Sequence, residues 1–229
     1  AALCDIDVSK ANAYAEQFDI QKTYSDFETM LQSESLDFVD IVTQSDTHRE
    51  LVELAARNGI DTICQKPFAS NFADAESMVQ ACRNAGVVFM IHENFRWQRP
   101  MRIVKELSAG IGEIFFGRIN FRSGFDVFAV QPYLAEDPIF IIYDVGPHLF
   151  DLARYFMGEA DKLYCLVNRV NPRIKAEDVA TIMLRMAGGA TCIVDMSYAS
   201  KMEDDLFPQT LVHLEGSNGS VTLGPHYHI

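Results

Sequence analysis

Lys66, Asp144 and His148 are the side chains whose types and settings are best suited to chemistry on a hydroxyl carbon. Lys66 lies in Gln65-Lys66-Pro67, directly after the apolar run Ile60–Cys64. The proline disfavours helical backbone at the residue before it, so the lysine stays at the carboxyl end of a strand. A cation there can hold a substrate hydroxyl and stabilise negative charge developing on oxygen. A Lys-Pro pair alone is weak evidence, because most are surface turns. Asp144-Val145-Gly146-Pro147-His148-Leu149-Phe150-Asp151 opens the strongest helix signal of the second half. Pro147 suits a first helical turn, where its missing N–H costs nothing. Asp144 and His148 share a face if the helix begins at Asp144. An imidazole with an acid beside it is a common form of general base. The alternative is that Asp144 caps the helix and His148 packs beside it.

Other polar residues gather at strand ends. Asp5 follows the apolar Ala1–Cys4 and stands where a dinucleotide-binding βαβ unit places the acid that accepts the adenosine ribose hydroxyls. It could instead cap the next helix, although Asp7 and Ser9 lie nearer to it. Thr43-Gln44-Ser45 follows a buried-type strand and suits contact with the nicotinamide ribose or diphosphate, or a turn in which Ser45 or Asp46 caps a helix. His48 falls at that helix start, where a lone histidine is usually a surface residue. His92-Glu93-Asn94-Phe95-Arg96-Trp97 packs hydrogen-bonding groups and aromatics into one junction. It suits either a small polyhydroxylated ligand such as a pentose or a hinge held by Arg96 and Trp97.

The elements that must position these groups change character along the chain. Up to Arg96, short apolar strands (1–4, 38–43, 60–64, 87–91) alternate with helical stripes. The stripes are Ala11, Ala15, Phe18; then Leu51, Leu54, Ala55, stopped by Gly59; then Phe72, Ala75, Met78, Val79, Cys82, stopped by Gly86. Alternating strands and helices predict a parallel sheet covered by helices. Beyond Arg96, residues 118–122, 181–186, 191–198 and 211–215 alternate like half-solvated strands, with Gly188-Gly189 and Ser217-Asn218-Gly219 as turns. One strong helix, carrying Leu149, Leu152, Ala153 and Phe156, interrupts them. The expected class is therefore α/β, with a Rossmann-type domain over 1–97 and an α+β domain with an open-faced, mostly antiparallel sheet over 98–229.

Composition narrows the partners. A net charge of −13 argues against nucleic acid. No apolar run reaches the ~18 residues of a membrane span, and the first residues lack the features of a secretory signal. Five scattered cysteines with no C-x-x-C pair predict reduced, buried thiols, no metal site and a cytoplasmic location.

Lys66-Pro67 after an apolar strand, Asp144-x-Gly146-x-His148-x-x-Asp151, and Leu214-Glu215-Gly216-Ser217-Asn218-Gly219-Ser220-Val221 together resemble the glucose–fructose oxidoreductase, inositol dehydrogenase and MocA family over the whole chain. The resemblance implies a glycine-rich turn upstream of Ala1 and further strands beyond Ile229. It implies an NAD-dependent dehydrogenase of a sugar or polyol, with NAD favoured over NADP by Asp5. His148 is then the acid/base, Lys66 binds substrate and nicotinamide ribose, and Asp144 orients the substrate. The cofactor set is Asp5, Thr43, Gln44, Ser45, His48, Gln65, Lys66, Pro67 and Asn94. The substrate set is Lys66, His92, Arg96, Trp97, Asp144 and His148. The open sheet face implies homodimers or homotetramers. Gln65 replaces the family's usual Glu, and Gln44 a frequent Pro. Two rival functions on the same fold are an NAD-using glycoside hydrolase and a non-catalytic ligand sensor.

Overall fold

The computed structural model describes residues 1–205 and 207–229. They form two compact units, Ala1–His92 and Glu93–Ile229.

The first unit runs β1 (Leu3–Cys4), α1 (Val8–Gln17), β2 (Thr23–Tyr24), α2 (Phe27–Ser33), β3 (Phe38–Ile41), α3 (His48–Arg57), β4 (Asp61–Cys64), α4 (Phe72–Ala85) and β5 (Phe89–Ile91). Every pairing is parallel, in the orders β1-β2 and β3-β4-β5. Parallel strands joined by helices are the building units of a doubly wound Rossmann-like fold. The core is built from alternate strand residues Val39, Ile41 and Cys64 with Val52, Ala55, Met78 and Cys82 from the helices. Met78 and Val52 are fully buried, so truncating Met78 to Ala should cost about 2–5 kcal/mol. Gly86 closes α4 in the left-handed conformation at φ 71°, which glycine adopts without a Cβ clash.

The second unit runs α5 (Arg99–Ser108), β6 (Ile114–Arg122), α6 (Val127–Val130), α7 (Ile141–Asp144), α8 (Gly146–Met157), β7 (Ala160–Asn168), β8 (Val179–Met186), β9 (Thr191–Ser197), β10 (Leu211–Gly216) and β11 (Gly219–Leu223). The strands form one sheet of order β11-β10-β6-β9-β8-β7, antiparallel except for the central β6–β9 pair. Leu149, Leu152, Ala153 and Phe156 of α8 join Ile119, Phe121, Ile182, Val194, Met196 and Leu214 in the core of one sheet face. The opposite face shows Tyr164, Met183, Ile193, Arg118, His213 and Thr222 as successive cross-strand neighbours. Below that row Asp195, almost buried, accepts from Arg118 at 3.0 Å and Arg122 at 3.1 Å.

Several local expectations change. The second half carries another full helix, α5, which buries Met101 and Val104; Pro100 near its start marks a helix beginning rather than a junction. The predicted stripe of α1 ends too late: Phe18 is its C-cap, 63% exposed, and stacks on Tyr14. Phe72 likewise points outward at the first turn of α4. Of the five thiols, Cys64, Cys82 and Cys192 are buried while Cys4 and Cys165 are only half-buried, and all five are free of disulfides. Among the described residues no helix is long and apolar enough to cross a membrane, and no cluster of potential ligands could hold a metal ion.

Candidate active site

In the first unit the candidate residues follow consecutive parallel strands. Asp5 ends β1, Thr43–Ser45 follow β3, Gln65–Pro67 follow β4, and His92 follows β5. The ladder continues a step past the strands: Gln65 N–H donates to the Ile41 carbonyl at 2.9 Å and His92 N–H to the Cys64 carbonyl at 2.8 Å. These bonds fix the backbone from which Lys66 projects, and the Lys66–Pro67 bond is cis. Gln65 Oε1 accepts the Lys66 N–H at 2.9 Å, and its Nε2 lies 3.3 Å from His92 Nδ1. An amide serves both partners because it carries a donor and an acceptor; a carboxylate here has no hydrogen for the ring nitrogen.

Asp5 does not cap the first helix. Asp7 does, accepting from Ser9 and Lys10 N–H, while Asp5 Oδ1 takes the Asp7 N–H at 2.8 Å. That single bond holds the Asp5 carboxylate at the strand end with lone pairs to spare for further donors, which fits a ribose diol. Neither Ser45 nor Asp46 caps α3; its N-cap is Thr47, whose hydroxyl pairs with Thr43 Oγ1 at 2.7 Å. Ser45 Oγ is 3.3 Å from Ser70 Oγ.

His48 departs from the expected surface residue. It is fully buried, with Nε2 at 3.0 Å from the Thr43 carbonyl and Nδ1 at 3.1 Å from the Phe68 carbonyl. Its ring therefore bridges the turn after β3 and the turn after β4, and supports those turns from within.

In the second unit the candidate catalytic segment is divided between two helices and does not open one at Asp144. The backbone is already helical from Ile141, with Val145 N–H bonded to the Ile141 carbonyl, and α8 resumes at Gly146 with Pro147 in its first turn. Asp144 thus ends a turn instead of capping α8. The acid bonded to the candidate catalytic imidazole is Glu93, whose Oε2 lies 2.6 Å from His148 Nδ1. Phe95 stacks flat on the same ring, with centroids 3.9 Å apart and planes at 6°.

Asp144 accepts from the Tyr198 hydroxyl at 3.4 Å. Burial, then the Asp144 charge and hydrogen bond, pushes the Tyr198 hydroxyl well above its usual range. Burial followed by the charge of Asp144 also raises Tyr133 and Asp137. A carboxylate and a phenol side by side, as Asp144 and Tyr198 are, offer the acceptors and donor that a vicinal diol needs. Sequence reasoning does not single out Tyr133, Asp137 or Tyr198, and no motif there marks them.

Of the junction residues, Arg96 is committed to Asp151 through Nε at 2.6 Å and a second bond from its other nitrogen, with its guanidinium 5.2 Å from the Tyr155 ring centre. That tie braces the segment on α8. Trp97 is 70% exposed, and Asn94 precedes a short turn over Phe95–Trp97.

Known proteins resemble this chain over its whole length. Residues 1–93 match the model of an oxidoreductase family with an NAD-binding Rossmann fold, and residues 97–222 match the GFO/IDH/MocA C-terminal domain. The chain is 48% identical to a D-apiose dehydrogenase of Rhizobium rhizogenes, covering all of this chain and 67% of that protein. It is 50% identical to a D-apiose dehydrogenase of Paraburkholderia graminis, covering all of this chain and 61% of that protein. The fold superposes with a TM-score of 0.97 at 49% identity on a crystal structure of an oxidoreductase from Agrobacterium radiobacter in complex with NAD+, L-tartaric acid and magnesium, over 99% of this chain and 67% of that one. The chain therefore spans about two thirds of the length of these relatives. With both halves matched in order, it belongs to the GFO/IDH/MocA family of NAD-binding oxidoreductases.

Proposed function

We propose that the full-length protein is an NAD-dependent dehydrogenase that oxidises a hydroxyl carbon of D-apiose or a closely similar pentose. The observation that carries this reading is the imidazole of His148, in the first turn of α8 and paired to the Glu93 carboxylate, on a chain of this family. The first unit supports NAD through Asp5, whose carboxylate suits the ribose hydroxyls and disfavours a 2′-phosphate, and through Thr43–Ser45 and Gln65–Pro67 at the strand ends. Bound NAD supplies the acceptor for the hydride leaving the substrate carbon. His148 takes the hydroxyl proton as that carbon becomes a carbonyl. Lys66 stabilises the charge growing on the oxygen. Asp144, with Tyr198 beside it, holds neighbouring hydroxyls. The two D-apiose dehydrogenases support the choice of sugar. We assign the protein to the cytoplasm, and to a homodimer or homotetramer formed through the open sheet face.

Incubating full-length protein with NAD and D-apiose should yield NADH, with NADP a poorer partner. His148→Ala and Lys66→Ala should each cut kcat on the order of 10²-fold or more, with unchanged circular dichroism. Near-normal turnover by His148→Ala would remove the base assignment. Absence of NADH with D-apiose and related aldoses and polyols would remove the dehydrogenase reading.

A further inference from the structure

We propose that Glu93 and Phe95 are positioning residues that hold His148 as its Nδ1–H tautomer and present Nε2 as the proton acceptor. The inference rests on the dehydrogenase reading above for its catalytic consequence. A neutral imidazole carries one N–H, and its partner decides which nitrogen is left basic. Glu93 Oε2 lies 2.6 Å from Nδ1, and the two side chains are only 15% and 12% exposed. A carboxylate offers lone pairs alone, so the hydrogen must be on Nδ1 and the free pair on Nε2.

Two further contacts make this a fixed geometry. Glu93 Oε1 accepts the Phe95 N–H at 3.0 Å, which sets the rotation of the carboxylate from its own backbone. The Phe95 ring then lies against the imidazole at 3.9 Å and 6°, which sets the plane of that ring. One residue of the segment thus governs where the proton sits, and another two positions on governs which way the ring faces.

The test uses full-length protein labelled with ¹⁵N-histidine, with NAD and D-apiose as probes. Above the pH where imidazoles are protonated, the wild-type His148 signals, assigned by their loss in His148→Ala, should show the Nδ1–H tautomer. Glu93→Gln offers the ring an amide that can donate as well as accept. It should raise the Nε2–H population and cut kcat on the order of 10²-fold, with KM for D-apiose little changed. Glu93→Asp should recover part of that loss. Phe95→Leu should lower kcat by about 2–10-fold without changing the tautomer. A wild-type Nε2–H tautomer, or full activity with an unchanged tautomer in Glu93→Gln, overturns the proposal. Full activity of His148→Ala removes the base assignment, and with it the role of Nε2 as proton acceptor; absence of NADH from the wild type removes the dehydrogenase reading instead, while the tautomer measured without substrate still decides what Glu93 does to the ring. If Glu93→Gln does not fold, the wild-type tautomer decides on its own: Nδ1–H supports the proposal and Nε2–H overturns it.

Discussion

The Asp5 carboxylate is released from helix capping because Asp7 performs that task two residues on. Replacing Asp5 with Ala should therefore spare α1 while removing the charged acceptor proposed for the ribose. Such a hydrogen bond contributes about 1.5–3 kcal/mol, so KM for NAD should rise roughly 10–100-fold and the preference over NADP should shrink. Steady-state kinetics with both cofactors reads this directly. At the same scale, burial pushes the Cys64 and Cys192 thiols up to about 12. Only the thiolate reacts. Iodoacetamide near neutral pH should leave both unmodified in the native protein and label them after unfolding, as mass spectrometry of digests would show. Of the proposed site, Lys66 and His148 are read from their local settings, beside a Pro and in a first helical turn, and Asp144 from its spacing to His148. Glu93 is visible only as part of a polar cluster. Its partner lies 55 positions away, and no periodicity reports which acid folding brings to which base.

Elements are legible where burial follows one period. The strands of the first unit and the stripe of α8 can be read because tertiary packing and local pattern agree there. β7 escapes such reading because both its faces are largely exposed, so no alternation marks it, and β1 and β2 have only two residues each. His48 misleads for a related reason: a polar ring at a helix start looks solvated until backbone carbonyls are found to surround it. His48→Ala should untie the turns after β3 and β4, weakening NAD binding more than it lowers kcat; isothermal titration with NAD would check the binding. The segment after β9 is tied similarly. Burial pulls the Asp205 carboxyl upward, but bonds from Gly124 N–H, the Ser123 hydroxyl and Phe207 N–H together outweigh it and hold the group below its ordinary range. A depressed carboxyl stabilises the fold above its unfolded pKa of about 3.9, and that contribution is lost as pH falls through the lower folded value. Hydrogen-exchange protection of the Gly124 and Phe207 amides should accordingly drop on acidification below about pH 4, and be low at all pH values in Asp205→Ala.

For the whole molecule, the class of each half is legible because the change of period near residue 96 is abrupt, whereas strand order is not, since pairing depends on contacts between distant segments. The open sheet face mixes Tyr164, Met183 and Ile193 with Arg118 and the Asp195 pairs. Met183→Glu, at a half-exposed position in the middle of that row, should split the proposed oligomer while leaving the α8 face of the sheet intact. Light scattering coupled to size exclusion would show a fall in mass. The central parallel pair also bears on how the protein is made. β6 has β9 on one side and β10 on the other, and Phe116 meets Thr191 about 75 residues later in the chain. At about 5–20 residues per second, a ribosome needs on the order of 4–15 s to deliver the first of those neighbours. Throughout that interval β6 lacks both of its strand neighbours, so the edges of its backbone stay unpaired. Nascent chains halted before residue 191 should bind a ribosome-associated chaperone, and release it once β9 and β10 have cleared the exit tunnel.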